Sequence, residues 1–314
     1  MRIQGVSERY KTKVPGKLML FGEHAVLRQK MALVCSVNKY MQITLTPRTD
    51  SIVDISSQLG SLQADLHSLK TENAFRFVLQ TIQHYRPAID SGFNLSIQSE
   101  FPENLGLGSS AAVTAATAAA ICSWKGLKKN KKELFCDCLG IIQTVQGKGS
   151  GADLAASIYG GIVAYQMNPL HITPLQKRYP LTAIYAGYKT STVKVIQQVD
   201  RFEKKFPKLS KRIFEDMNIC TMLATDAIEK EEWEKVGKLM NIHQGFLDAI
   251  GVNDETLSHI IYAIRRSEGI LGAKISGSGL GDCVIALGRP GKSTLPFQTI
   301  SLKTSSQGLV VEKI

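Results

Sequence analysis

The run Gly106-Leu107-Gly108-Ser109-Ser110-Ala111-Ala112, led by Pro102-Glu103-Asn104-Leu105, carries the strongest chemical signal in the chain. Glycines let an anion approach the backbone with no Cβ in the way. A helix opening near Ser110 points unpaired N–H groups at that anion, and its dipole favours negative charge there. Ala111 and Ala112 keep the first turn slim enough for a bulky ligand. Ser109 or Ser110 can bond a phosphate oxygen or bind a magnesium ion. Three other readings compete. A Walker A loop ends in Gly-Lys-Ser/Thr, and this run does not. The loose dinucleotide fingerprint fits, but no acidic residue stands at a strand end near position 130. The bland reading is a strand-to-helix turn with a serine N-cap.

Three further motifs hold candidate chemistry. In Pro15-Gly16-Lys17-Leu18-Met19-Leu20-Phe21-Gly22-Glu23-His24, a lysine opens an apolar stretch and a charged pair follows a second glycine. Lys17 is a point charge suited to phosphate oxygens; alone it reads equally as a solvated lysine, and His24 as a packed histidine. In Gly147-Lys148-Gly149-Ser150-Gly151-Ala152-Asp153, an acid follows a glycine cluster. Asp153 can take a proton from an attacking hydroxyl, or it can close a turn. Lys274 to Cys283 (KISGSGLGDC) places Gly277, Ser278 and Gly279 in a loop between two strands, suited to closing over a substrate or, more simply, to turning a hairpin.

The elements that must position these groups alternate between strands and helices. Residues 10–21, 32–47, 52–58, 93–98 and 160–165 read as strands. Apolar spacing predicts helices over 73–85, 110–124, 131–146, 193–202, 208–229, 232–250 and 255–268. Short strands follow at 181–186, 273–275, 282–288 and 308–314. Prolines 169, 174 and 180 mark a boundary. It divides an N-terminal domain, 1–175, from a C-terminal domain, 176–314. Without a regular βαβ period, the fold class is α+β.

Composition narrows the classes. The chain has 314 residues, 44% of them hydrophobic and 21% charged, which excludes a disordered or collagen-like protein. Net charge is 38 − 27 = +11, which suits a polyanionic ligand. Basic residues are not interleaved with aromatics and no nucleic-acid signature occurs, so no nucleic-acid partner is expected. No run of about 18 apolar residues predicts a membrane span, and residues 1–13 contain no secretory apolar core. Six scattered cysteines read as reduced thiols of a cytoplasmic protein.

The four motifs, taken in their order along the chain, resemble those of the GHMP kinases. The resemblance runs from Lys13 to Gly288. It implies a two-domain fold: an N-terminal domain similar to ribosomal S5 domain 2 and a ferredoxin-like C-terminal domain, with ATP and acceptor between them. Within the family, Gly22 to Val26 and Met240 to Val252 most resemble members that phosphorylate mevalonate. Gly149 to Ala156 and Gly281 to Cys283 resemble the branch acting on phosphomevalonate, the alternative. A sugar kinase or a non-catalytic ligand sensor on the same fold are further alternatives.

The resemblance also implies roles. Gly106, Leu107, Gly108, Ser109, Ser110 and Ala111 match the ATP-binding loop, and Ser110 matches a Mg2+ ligand. Asp153 matches the base, and Lys17 the lysine that stabilises the transferring charge. Glu23, His24, Thr190, Thr192, Gly277, Ser278 and Gly279 match the acceptor side. ATP and Mg2+ are the expected cofactors. Mevalonate or phosphomevalonate is the expected partner, with a homodimer as the candidate assembly. One departure stands out. The family's glutamate, eleven residues before the base and a second magnesium ligand, corresponds here to Ile142, beside Gln143.

Overall fold

A computed structural model of the chain describes residues 8–70, 74–101, 106–291, 297 and 299–314. Its strands are β1 (Tyr10–Phe21), β2 (Ala32–Pro47), β3 (Ile52–Ser57), β4 (Gly60–Asp65), β5 (Phe93–Ser99), β6 (Ile162–Gln166), β7 (His171–Leu175), β8 (Pro180–Lys189), β9 (Ile270–Ser276), β10 (Gly281–Gly288), β11 (Thr299–Lys303) and β12 (Val310–Lys313). Its helices are α1 (Arg76–His84), α2 (Ser109–Trp124), α3 (Lys131–Gln146), α4 (Ala152–Tyr159), α5 (Thr192–Lys205), α6 (Pro207–Glu229), α7 (Trp233–Ala249) and α8 (Glu255–Arg265). Pro102 to Leu105, the lead-in to the glycine loop, fall outside the described residues.

Two sheets organise these elements. The first runs β12-β1-β2-β5-β3-β4, and its long strand β2 also pairs with β6, which pairs with β7. Pairing is antiparallel except between β3 and β5. The second sheet is antiparallel, in the order β11-β8-β10-β9. The chain thus builds the first sheet from 10–175, the second from 180–303, and returns β12 to β1. This is the expected mixture of helices and sheets.

Alanine decides how the first layer closes. Helix α2 is buried on nearly every side, and Ala112, Ala115, Ala116, Ala118 and Ala120 have no exposed surface. Side chains this small let α2 lie directly on β1 and β2 while α1, α3 and α4 pack around it. The register of β1 against β2 shifts between Pro15 and Gly16, where β2 carries two extra residues, Asn38 and Lys39. In the second layer, α7 and α8 cover β9. Gly237 and Gly272 permit that contact, because a Cβ on either would overlap the other element's backbone.

Helix α4 stands where the sequence reading has only a glycine turn before a strand. Eight residues are too few for a clear period, yet Leu154, Ala155, Ala156 and Ile158 are all buried. Strands β4, β7 and β11 are likewise absent from that reading. They hold several exposed residues and alternate weakly. Five of the six cysteines are buried; Cys136 is exposed. Among the described residues no helix is long and apolar enough to cross a membrane.

Candidate active site

Helix ends show where an anion fits. Asn130 and Glu133 close α3 with a reciprocal capping box. Helices α2 and α4 have no such closure. Each starts from a glycine in left-handed backbone, Gly108 (φ 78°) and Gly151 (φ 81°), which has no side chain to cap the turn; on α4 only the Ala152 N–H is taken, by Ser150 Oγ at 3.3 Å. Their free N–H groups are available to a ligand. The Ser109 hydroxyl, at the start of α2, is buried without a hydrogen-bond partner.

Lys17 joins these two helix starts. Its backbone N–H donates to the Leu107 carbonyl at 2.9 Å, pinning the glycine loop to β1. Its side chain runs beneath Gly108, where a Cβ would come within 2.8 Å of the lysine Cγ and Cε. Its Nζ ends 2.9 Å from Asp153 Oδ1 on the first turn of α4. The lysine side chain is 6% exposed and that of Asp153 is 43% exposed. Burial alone pulls the Lys17 pKa down. Asp153, Asp282 and Glu23 outweigh it and hold the value above that of a free lysine, so the ammonium persists. Asp153 is held from behind as well: Ser157 donates to the Pro15 carbonyl at 3.1 Å, and Tyr165 donates to the Ser150 carbonyl.

The acceptor-side motif forms a tight turn after β1. Gly22 (φ 88°) and His24 (φ 59°) are both left-handed. His24 Nε2–H donates to the Ser278 carbonyl at 2.8 Å, which ties this turn to the loop of Gly277, Ser278 and Gly279. Its Nδ1 is buried with no partner. Burial lowers the His24 pKa to about 4, so the ring is neutral and Nδ1 is a hydrogen-bond acceptor.

Glu23 stands in a different place from the one expected. It is 1% exposed, bonded to the Lys274 ammonium and facing His243 Nδ1 at 3.8 Å. Its side chain is directed into the junction of the two layers rather than toward an acceptor, because Lys274 and His243 line the interior behind the turn. Burial pushes the Glu23 carboxyl up and the Lys274 ammonium down, and their mutual attraction opposes both. His243 Nε2 accepts the Gly22 N–H at 3.0 Å. Burial holds its pKa well below 6.5, so its single proton sits on Nδ1, toward Glu23.

Thr190 and Thr192 stand at the open start of α5, with Thr192 exposed. Their link to the site runs through the adjacent Lys189, whose Nζ is 3.3 Å from Asp282 Oδ2. Asp282, at the start of β10, is 5% exposed. The sequence reading assigns no role to Asp282, Lys189, Lys274 or His243. An acid following a glycine cluster, the signal used for Asp153, also marks Asp282. The burial of Lys274 and His243 is a tertiary fact with no local signal. The chain does contain one Gly-Lys-Ser, at 291–293, but Ala286 takes the place of the leading glycine that a Walker A loop needs.

Comparison with known proteins gives the family. Residues 73–161 match the GHMP kinases N terminal domain, and residues 224–293 match the GHMP kinases C terminal model. A mevalonate kinase from Thermococcus gammatolerans is 30% identical, covering 98% of this chain and 99% of its own. The chain belongs to the GHMP kinase family. It is an ATP-dependent phosphotransferase that acts on an alcohol. The fold is shared with solved members. Leishmania major mevalonate kinase in complex with R-mevalonate superposes with a TM-score of 0.79 at 22% identity, covering 95% of this chain and 96% of that one. Streptococcus pneumoniae phosphomevalonate kinase, in complex with phosphomevalonate and AMPPNP, gives 0.78 at 19% identity, covering 97% and 99%.

Proposed function

We propose that this GHMP kinase transfers the γ-phosphoryl group of ATP to a hydroxyl of mevalonate, in isoprenoid precursor synthesis. The observation that carries the reading is the contact series Gly108–Lys17–Asp153, which sets a general base beside the anion-binding loop. The 30% identity to a mevalonate kinase from Thermococcus gammatolerans supports mevalonate as the acceptor.

Phosphoryl transfer asks for positioning and charge stabilisation. The free N–H groups of the 106–111 loop hold the triphosphate. Lys17 fixes Asp153 through Oδ1, leaving Oδ2 to accept the proton of the attacking hydroxyl. The buried ammonium faces the charge that develops on the transferring group. His24 Nδ1, a neutral acceptor, is suited to hold a hydroxyl of the substrate. The loop of Gly277, Ser278 and Gly279 closes over the site, and Thr190 and Thr192 border the acceptor end.

Magnesium fits this donor set as a shared ion. Among the described residues no three His, Cys, Asp or Glu side chains gather into a protein-only metal site. Ser110 and the open side of Asp153 would hold it together with phosphate oxygens, the arrangement Mg2+ usually adopts. The ion would supply charge neutralisation on the phosphates. The ligands involved are small molecules, and the buried thiols suit the cytoplasm.

An ADP-release assay over mevalonate, phosphomevalonate, galactose and homoserine tests the reading. Turnover with mevalonate is expected. Turnover of phosphomevalonate with none of mevalonate would replace the acceptor, and ligand binding without ADP formation would replace catalysis by sensing.

A further inference from the structure

We propose that Asp282 supplies the second carboxylate for the divalent cation that accompanies the nucleotide. This rests on the kinase reading above and adds a residue to it. Helix α3 offers no anion where the family has one. Ile142 is in the core, and the neutral Gln143 donates its amide to the Gly149 carbonyl at 3.2 Å. A carboxylate must come from elsewhere or the ion has only one.

Asp282 has the marks of a group kept for a ligand. It occupies left-handed backbone (φ 69°), which an aspartate adopts only at a cost. Its Oδ1 is buried and bonded to nothing. The one cation within ion-pair distance among the described residues is Lys189, and it meets Oδ2. Buried carboxylate oxygens are normally paired, so an orphan calls for an explanation. The nucleotide loop is shaped around this group: a Cβ on Gly106 would overlap the carboxylate. Asp282 also acts electrostatically on both Lys17 and Asp153, which places the three in one field.

Beside a triphosphate, a second carboxylate repels the ligand unless positive charge lies between them. Lys17 is already engaged by Asp153, and Lys189 by Oδ2. A hard divalent ion, which takes one or two carboxylates along with phosphate oxygens, meets the need. Asp153 comes from α4 on the first sheet and Asp282 from β10 in the second. Sharing the ion would therefore also draw the two layers together over the nucleotide.

The test measures Mn2+ binding, by its electron paramagnetic resonance signal, in the presence of a non-hydrolysable ATP analogue. Asn tolerates left-handed backbone, so Asp282→Asn should keep the fold, which a melting curve checks. Its Mn2+ affinity should fall about tenfold or more, with metal-free analogue binding unchanged or tighter. Lys189→Met should leave Mn2+ affinity unchanged or raised. Affinity within twofold of wild type in Asp282→Asn overturns the assignment. So does an equal loss in Lys189→Met, which would mean that the ion pair, not the carboxylate, matters. Wild-type protein that binds no analogue at all would instead overturn the kinase reading.

Discussion

Lys17 Nζ and Asp153 Oδ1 meet at 2.9 Å, although one belongs to the first strand and the other to a short helix far along the chain. The pair is asymmetric. The ammonium is enclosed and the carboxylate half open, so the cation serves as a fixed support and the anion remains reachable. Asp153→Asn keeps the shape and removes the proton acceptor. Its kcat should fall about 10²- to 10⁴-fold, while affinity for the metal-free ATP analogue changes little. Steady-state kinetics with calorimetry check this, and a wild-type kcat would show that Asp153 is not the base.

Gly108 tests the loop independently. Alanine there must adopt φ 78° and press on the Lys17 side chain. The backbone penalty is about 1–2 kcal/mol. A shift of Lys17 by even an ångström should lower kcat/KM by about 10²-fold. If Gly108→Ala binds nucleotide and turns over like wild type, the contact between loop and lysine has no role in catalysis.

The site was more legible in the sequence than the layers that carry it. The free helix start at Gly108-Ser109 follows from local chemistry, since glycine, two hydroxyls and alanines act through their own backbone. Asp153 could be marked by its glycine neighbours, but the helix beneath it was hidden by its eight-residue length. Glu23 shows the limit most clearly. Its place in the motif suggests a ligand contact, yet Lys274 and His243 arrive from β9 and α7 and take up the side chain. No local pattern encodes that, because it depends on how the two layers dock.

That docking predicts a stability result. Lys274→Met leaves Glu23 charged and unpaired in the interior. It should destabilise the protein by about 3–5 kcal/mol, read as a drop in the urea midpoint. Adding Glu23→Gln removes the stranded charge and should recover much of the loss. If the double variant is less stable than Lys274→Met alone, the two groups do not act as a compensated pair.

His24 predicts a pH effect with a definite sign. Its folded pKa is lowered to about 4 by burial, against 6.5 for the free side chain. Above 6.5 both states are neutral and the group contributes no pH dependence. Between about 6.5 and 4 the unfolded chain takes up a proton that the folded chain refuses, so stability falls as pH falls, by about 3 kcal/mol in full. Glu23 and Asp282, whose carboxyls are raised, work in the opposite direction in the acid range, and His243 adds to the loss. The comparison must therefore be a difference between proteins. The Gln amide nitrogen reaches as far as Nε2 and can still donate to the Ser278 carbonyl, so His24→Gln isolates the titration. Denaturation midpoints from pH 7 to 4.5 should fall more steeply for wild type than for the variant. Parallel slopes would mean that the folded imidazole takes up its proton as readily as the unfolded one, and that the turn after β1 is open to water.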